Sequence, residues 1–288
     1  MDHKPVLGVI GGSGLYSMDG LSRVERLELD TPFGKPSSDV FVGDLEGEWV
    51  AFLARHGVGH VLTPTEVNYR ANIYAFKMLG VERVLSVSAC GSLREDFAPG
   101  DIVVPDQLYD NTHLRARSYF GDGLVAHISV ADPFCPDLSS WLAASVSSSG
   151  GNVHQGGAFI TIEGPRFSTR AESNTYRSWG MSIIGMTASP EAFLAREAEM
   201  CYAVMAHVTD YDVWHVSQEP VTVEMVIRIL QGNTKLAQKA IKDLVHRLAV
   251  PRECECGEAL KSAQITQPEL VPDETRRKLS VLVDRHLG

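Results

Sequence analysis

No stretch of this sequence is apolar for long enough to span a bilayer, and no N-terminal run resembles a secretory signal. The expected location is therefore the cytoplasm, with no membrane partner. An excess of positive charge is also lacking: 26 Lys and Arg against 36 Asp and Glu give a net charge of -10, which excludes nucleic acid as a general partner because phosphate backbones demand a basic face. Cysteine is scarce and odd in number, five in all, so no self-contained disulfide framework is available. Cys90, Cys135 and Cys201 stand in apolar surroundings, where a thiol behaves as a small buried hydrophobe. Cys254 and Cys256 are one residue apart, short for a zinc-binding pair, and no second pair accompanies them, so no metal is expected. A local disulfide and chance proximity both stay open for that pair. Repeats and low-complexity segments are absent. What is present is a 44% hydrophobic chain of 288 residues, enough for a full core, read as one domain over 1–288 with 251–288 as a C-terminal helical extension.

The organising stretch runs from Tyr202 to His215. Its first half reads as a buried strand, and it ends in Asp210 and Asp212. Ligands of open α/β sheets bind beyond the carboxyl ends of strands, and an extended backbone would aim both carboxylates to one side. A plain polar turn would explain the acids as well. Other apolar runs end in the same way. Val6 to Ile10 enters Gly11-Gly12-Ser13-Gly14, whose amides and Ser13 hydroxyl suit a phosphate-sized anion. The third glycine of a dinucleotide fingerprint is replaced by Ser17, which counts against a nicotinamide cofactor. The hairpin through Gly43 to Glu48 leads to a strand ending in Arg55-His56-Gly57, a cation and a further donor for an anion. Val84 to Val87 leads to Ser88-Ala89-Cys90-Gly91-Ser92, a second set of small residues with exposed amides.

Between these lie predicted helices over 66–79, with Thr65 as cap and Val67, Ala71, Tyr74 and Met78 as core face, and over 138–149. Residues 110–122 read as irregular. Gly157 to Glu163 is a strand, and the loop after it carries Phe167, which is either core or a platform for a flat base. Ile183 to Gly185 precedes Met186-Thr187 and a helix over 191–198. A long amphipathic helix is expected over 221–248, and a last one over 273–287.

Taken together, Gly11-Gly12-Ser13-Gly14, Arg55-His56-Gly57, Ser88-Ala89-Cys90-Gly91-Ser92, Glu163-Gly164-Pro165-Arg166-Phe167-Ser168, Met186-Thr187 and Thr209-Asp210-Tyr211-Asp212 resemble the trimeric purine nucleoside phosphorylase family over roughly residues 6–248. The resemblance implies an α/β fold with a mixed sheet flanked by helices, a homotrimer or dimer of trimers, and no cofactor beyond inorganic phosphate as co-substrate. It implies that Ser13, Arg55, His56, Ser88, the Ala89 amide and Thr187 hold phosphate. Ser13 and Ser88 replace threonines common in the alkylthio branch of the family, keeping the hydroxyl. Phe167 would stack on the purine, Met186 would face the ribose, and Asp210, the catalytic acid, and Asp212 would meet N7 and the 6-amino group. His127, Val223, Val226 and Ile227 would surround a 5′-alkylthio group, with His127 or its loop donated by a neighbouring subunit. Members preferring 6-oxopurines carry Glu after the loop Phe and Asn at the N7 position. Ser168 and Asp210 stand there instead, so the implied reaction is phosphorolysis of 5′-methylthioadenosine. The alternative is 5′-methylthioinosine or another 6-oxopurine nucleoside.

Overall fold

A computed structural model describes residues 3–215 and 223–287, leaving out the side chains of residues 13, 16 and 223–232. The strands in chain order are β1 (Leu7–Gly11), β2 (Leu21–Leu27), β3 (Val40–Leu45), β4 (Glu48–Ala54), β5 (Arg83–Ser92), β6 (Ile102–Val104), β7 (Gln107–Asn111), β8 (Val153–Gln155), β9 (Ala158–Ile162), β10 (Ile183–Gly185) and β11 (Cys201–Asp210). The helices are α1 (Tyr69–Met78), α2 (Pro136–Ser148), α3 (Arg170–Ser178), α4 (Ala188–Glu197), α5 (Val223–Arg247), α6 (Asp273–Lys278) and α7 (Ser280–Leu287). All strands join one mixed sheet in the order β2-β3-β4-β1-β5-β10-β9-β7, and β11 pairs with β5 and β6 while β8 pairs with β6.

The centre is parallel: β1 runs alongside β4 and β5, and β11 alongside β5, so four carboxyl ends emerge together. Both faces of this centre are covered. Every residue of β1 and β11 is buried, which accounts for their unbroken apolar character. Side chains alternate between the two layers. Tyr202, Val204, Ala206 and Val208 pack with Ile73 and Phe76 of α1, Leu194 of α4 and Leu282 of α7. Ala203 and Met205 pack on the other face with Leu138 and Leu142 of α2 and Ile241 and Leu244 of α5. Each such Leu, Ile or Phe contributes about 1.5–3 kcal/mol on burial.

Local chemistry sets the boundaries. Glu46 and Gly47, at φ 55° and 90°, form the two-residue turn between β3 and β4. Thr169 and Glu172 form a reciprocal capping box on α3, and Pro136 opens α2 where no amide donor is needed. Among the described residues no helix is long and apolar enough to cross a membrane.

Several expectations are corrected. The first helix begins at Tyr69 under an Asn68 cap, because the Thr65 hydroxyl is drawn away to Glu163 at 2.6 Å. Met78, placed on its core face, is 42% exposed at its last turn. The Ser88 to Ser92 stretch continues β5 rather than forming a loop. Residues 107–111, partly read as irregular, form β7 against β9 in register Gln107 with Ala158. The last helix is broken at Leu279, which turns inward to the core and separates α6 from α7. Cys135 and Cys201 are not isolated core thiols: their sulfurs and those of Cys254 and Cys256 all lie within 4.8 Å of one another.

Candidate active site

A cavity of about 560 Å³ opens where the carboxyl ends of β1, β4, β5 and β11 meet the chain following β9 and β10. Its size suits a nucleoside-scale ligand. The walls bring together Arg55, His56, Ser88, Ala89, Thr187, Phe167, Ser168, Met186, Asp210 and Asp212, ten side chains or backbones singled out from the sequence. Gly12 and Gly14 join them, while the Ser13 side chain and those of Val223, Val226 and Ile227 lie outside the described residues. His127 is exposed and stands apart from this cavity, its amide donating to the Ala263 carbonyl at 2.8 Å.

At the β11 end, the two carboxylates reach one side by a route other than strand alternation. The strand stops at Asp210, and Asp212 adopts φ 50°. The Asp212 amide then donates to Asp210 Oδ1 at 2.7 Å, and the Thr209 hydroxyl donates to Asp210 Oδ2 at 2.6 Å. Burial pushes the Asp210 carboxyl up to about 6, although those two donors oppose the shift. Burial raises Asp212 as well. Gly91 of β5 admits this pair: a methyl there would sit 3.0 Å from Asp210 Oδ1 and 3.3 Å from Asp212 Cβ. Asp212 Oδ2 and Ser168 Oγ are buried without a well-formed hydrogen bond among the described residues, although the Ser168 and Ser173 hydroxyls lie near enough to Asp212 to oppose the rise of its carboxyl. Such groups are costly unless a ligand meets them.

At the opposite end, Thr187 precedes the first residue of α4, and Ser88 presents another buried hydroxyl without a partner. Ser189 is extended, at φ -106° and ψ 136°, and its amide donates to the Thr161 hydroxyl at 3.2 Å, so the regular turns of α4 begin only after it and the polar groups offered to an anion here are side-chain hydroxyls. Arg55 lines the cavity with most of its donors already engaged within the protein. Its Nε and Nη2 donate to Glu191 at 2.9 and 3.0 Å, and the rest of the guanidinium reaches the carbonyls of Val87 and Ile10 and the Ser86 hydroxyl. Tyr202 also donates to Glu191, at 2.8 Å. The guanidinium is a strut beneath the site, tying β1, β4, β5 and α4 together. His56 uses its side-chain donor within the protein as well. Its Nδ1 lies 2.9 Å from the Leu62 carbonyl, which can only accept, so the proton is on Nδ1 and the neutral ring offers Nε2 as an acceptor. Burial, then the Arg55 charge, hold its pKa down at about 4.

Sequence reading assigned no role to four contributors, although Glu163 opens one of the motifs quoted above. Arg115, inside the segment read as irregular, is 6% exposed and donates to the Met186 and Ser189 carbonyls at 2.7 Å and to the Glu163 carbonyl at 2.8 Å. It thereby sets the spacing between the Phe167 loop and Met186. Glu163 is the partner hub: burial alone would raise its carboxyl, but donors from Thr65, His113, Leu114 and Arg115 outweigh that and hold it at about 2. Glu191 pairs with Arg55, and buried His207 lines the cavity with neither ring nitrogen partnered. Only a strand-end position signalled His207; Arg115, Glu163 and Glu191 act across 48 to 136 residues of chain, a range no local pattern covers.

The phosphorylase superfamily pattern matches residues 6–246. The S-methyl-5′-thioadenosine phosphorylase of Geobacter sulfurreducens is 53% identical over 99% of this chain and 100% of its own length, and that of Koribacter versatilis 48% identical over 98% and 97%. The crystal structure of a methylthioadenosine phosphorylase from an antarctic soil metagenomic library superposes with a TM-score of 0.94 at 45% identity, covering 98% of this chain and all of that one. The methylthioadenosine phosphorylase of Schistosoma mansoni in complex with adenine gives 0.84 at 36% identity, over 90% and 97%. Identity of this extent along the whole length leaves one assignment: the chain belongs to the S-methyl-5′-thioadenosine phosphorylase family of the phosphorylase superfamily.

Proposed function

We infer that this protein catalyses phosphorolysis of 5′-methylthioadenosine to adenine and 5-methylthioribose 1-phosphate, a pentosyl transfer. The observation that carries the choice of base is the pairing of Asp212 Oδ2, a buried acceptor that makes no well-formed hydrogen bond among the described residues and has only the Ser168 and Ser173 hydroxyls nearby, with an Asp210 carboxyl whose pKa is lifted to about 6. A 6-amino group donates to the first. A 6-oxo group would confront an acceptor with an acceptor and leave both desolvated.

In this reading, Asp210 enters the reaction protonated and donates to purine N7 as the C1′–N9 bond breaks and its electron pair moves into the ring. A phosphate oxygen forms the new bond to C1′ from the opposite face. Phosphate is held by Ser88, the Ala89 amide, Thr187, Ser13 and the glycine loop, with neutral His56 accepting from a protonated phosphate oxygen and Arg55 bracing the floor. Phe167, 40% exposed at the cavity mouth, stacks on the base, and Met186 lies against the sugar. Ser168 adds a hydroxyl to the base edge. Holding both reactants in line removes much of the entropic cost of their encounter, and acid assistance at N7 contributes a further ~10²–10⁴-fold.

The assembly is read as a homotrimer or dimer of trimers in which His127 of a neighbouring subunit, with Val223, Val226 and Ile227, completes the 5′ pocket. Exposed Val125 and Val130, flanking His127 in the chain, support that reading. Residues 251–288 are read as an extension of one domain. The test compares release of free base from 5′-methylthioadenosine and 5′-methylthioinosine by ultraviolet absorbance, each with and without phosphate. Phosphate-dependent cleavage favouring the adenine compound is expected; preference for the inosine compound would overturn the base assignment, and cleavage indifferent to phosphate would overturn phosphorolysis.

A further inference from the structure

The four cysteines gathered by the fold lie away from the cavity. Cys135 caps the start of α2, Cys201 begins β11, and Cys254 and Cys256 come from the chain after α5. The cavity is at the far end of this ten-residue strand, or ~30 Å along it. Cys254 is extended, at φ -73° and ψ 157°, and Cys256 sits in the short 3₁₀ turn over Glu255–Glu258, so the chain bends between them and both thiols face Cys135 and Cys201. Cys201 Sγ and Cys254 Sγ are 3.3 Å apart, and all four sulfurs fall within 4.8 Å of one another. Tetrahedral zinc with Zn–S bonds of about 2.3 Å spaces its sulfurs ~3.8 Å apart.

The surroundings answer the charge of such a centre. Arg196 Nη1 approaches Cys256 Sγ at 3.5 Å, and Arg252 lies against Cys201 and Cys254. Arg252 is seated by the Glu199 carbonyl at 2.9 Å and against Gly257, where a methyl would come within 2.9 Å of its Nη2. It is shared with Glu82, whose own charge is met by Lys4. Four thiolates around a divalent ion leave a double negative charge, and two guanidinium groups offset it. Buried charge of this kind is stable when paired in this way.

We propose that Cys135, Cys201, Cys254 and Cys256 form a closed tetrathiolate site for a structural zinc ion. Binding deprotonates the thiols, releases their protons to solvent, and involves no change of oxidation state. With all four positions taken by protein, the ion has no open coordination site for catalysis; its effect is to fasten the segment after α5 to the amino ends of β11 and α2.

The experiment measures metal in the full chain purified under reducing conditions without added metal. About one zinc per chain is expected, and exchange with Co²⁺ should give the thiolate-to-cobalt charge-transfer and visible bands of a tetrahedral sulfur site. Cys254→Ser and Cys256→Ser should each lose the ion and lower Tm by at least about 5 °C while leaving kcat within twofold at a temperature where they remain folded. If those variants do not fold, Co²⁺ titration of the metal-stripped parent chain decides. Absence of both zinc and the cobalt bands overturns the proposal, whether denatured protein then titrates all five thiols, showing a cluster of thiols only, or Cys90 alone, showing paired disulfides.

Discussion

Asp210, the proposed acid, shows how a residue placed for chemistry costs stability. Its carboxyl titrates at about 6 in the free chain, so log kcat/KM for the nucleoside should be level below that pH and fall with unit slope above it. Phosphate titrates nearby, but only the Asp210 limb should vanish in Asp210→Asn, whose kcat/KM should be ~10²–10⁴-fold lower with the phosphate KM within about threefold. The folded value lies above the ordinary 3.8, so the folded state binds the proton more tightly than the unfolded one. The resulting penalty is absent below about pH 4 and complete above about pH 6. Asp210→Asn should therefore gain on the order of 1–2 kcal/mol in urea unfolding at pH 7.5 and little at pH 4. Gly91 makes the converse point. A methyl 3.0 Å from Asp210 Oδ1 forces the acid pair outward, so Gly91→Ala should raise the nucleoside KM at least tenfold and cost about 1–3 kcal/mol, measured by steady-state kinetics and thermal unfolding.

At the scale of elements, the site is held by long-range struts. Arg55 and Glu191 join the end of β4 to α4 beneath the cavity, both almost wholly buried. Removing one partner leaves the other as an uncompensated buried charge, worth about 3–5 kcal/mol. Arg55→Ala and Glu191→Ala should each lose that much in denaturant unfolding, and the double variant should lose less than the sum. A purely ligand-contacting Arg55 would instead raise the phosphate KM at unchanged stability. Arg115 fastens Met186 to the Glu163 loop. Arg115→Ala should raise the KM for 5′-methylthioadenosine more than that for phosphate, since the base platform, and not the glycine loop, loses its support.

Across the whole molecule, His127 is exposed on the single chain and is not part of the chain's own cavity wall, so a role for it in the site demands a second copy. Sedimentation should report a trimer or a multiple of it. His127→Ala should raise the KM for 5′-methylthioadenosine several-fold with the phosphate KM unchanged; an active monomer would remove the shared-pocket reading.

Patterns confined to a short window were legible without coordinates: apolar runs for β1, β4, β5 and β11, and the small and polar residues at their ends. Strand ends became a site because parallel pairing places four carboxyl ends side by side, and the motifs at those ends were readable as anion and base elements. The boundary of α1 was not, since Thr65 had a partner in Glu163 98 residues away. Nor was the turn at Asp212, whose positive φ is imposed by the hydrogen bond to Asp210. The bracing of Arg55 by Glu191 was not legible either, because the two stand 136 residues apart and only the fold brings them together. The four thiols were separated by up to 121 residues, and an isolated Cys-Glu-Cys carried no sign of the other two. Composition and local spacing thus determined the chemistry available to this chain. Tertiary structure decided which groups stay free to meet a ligand, because burial and long-range pairing are properties of the packed chain.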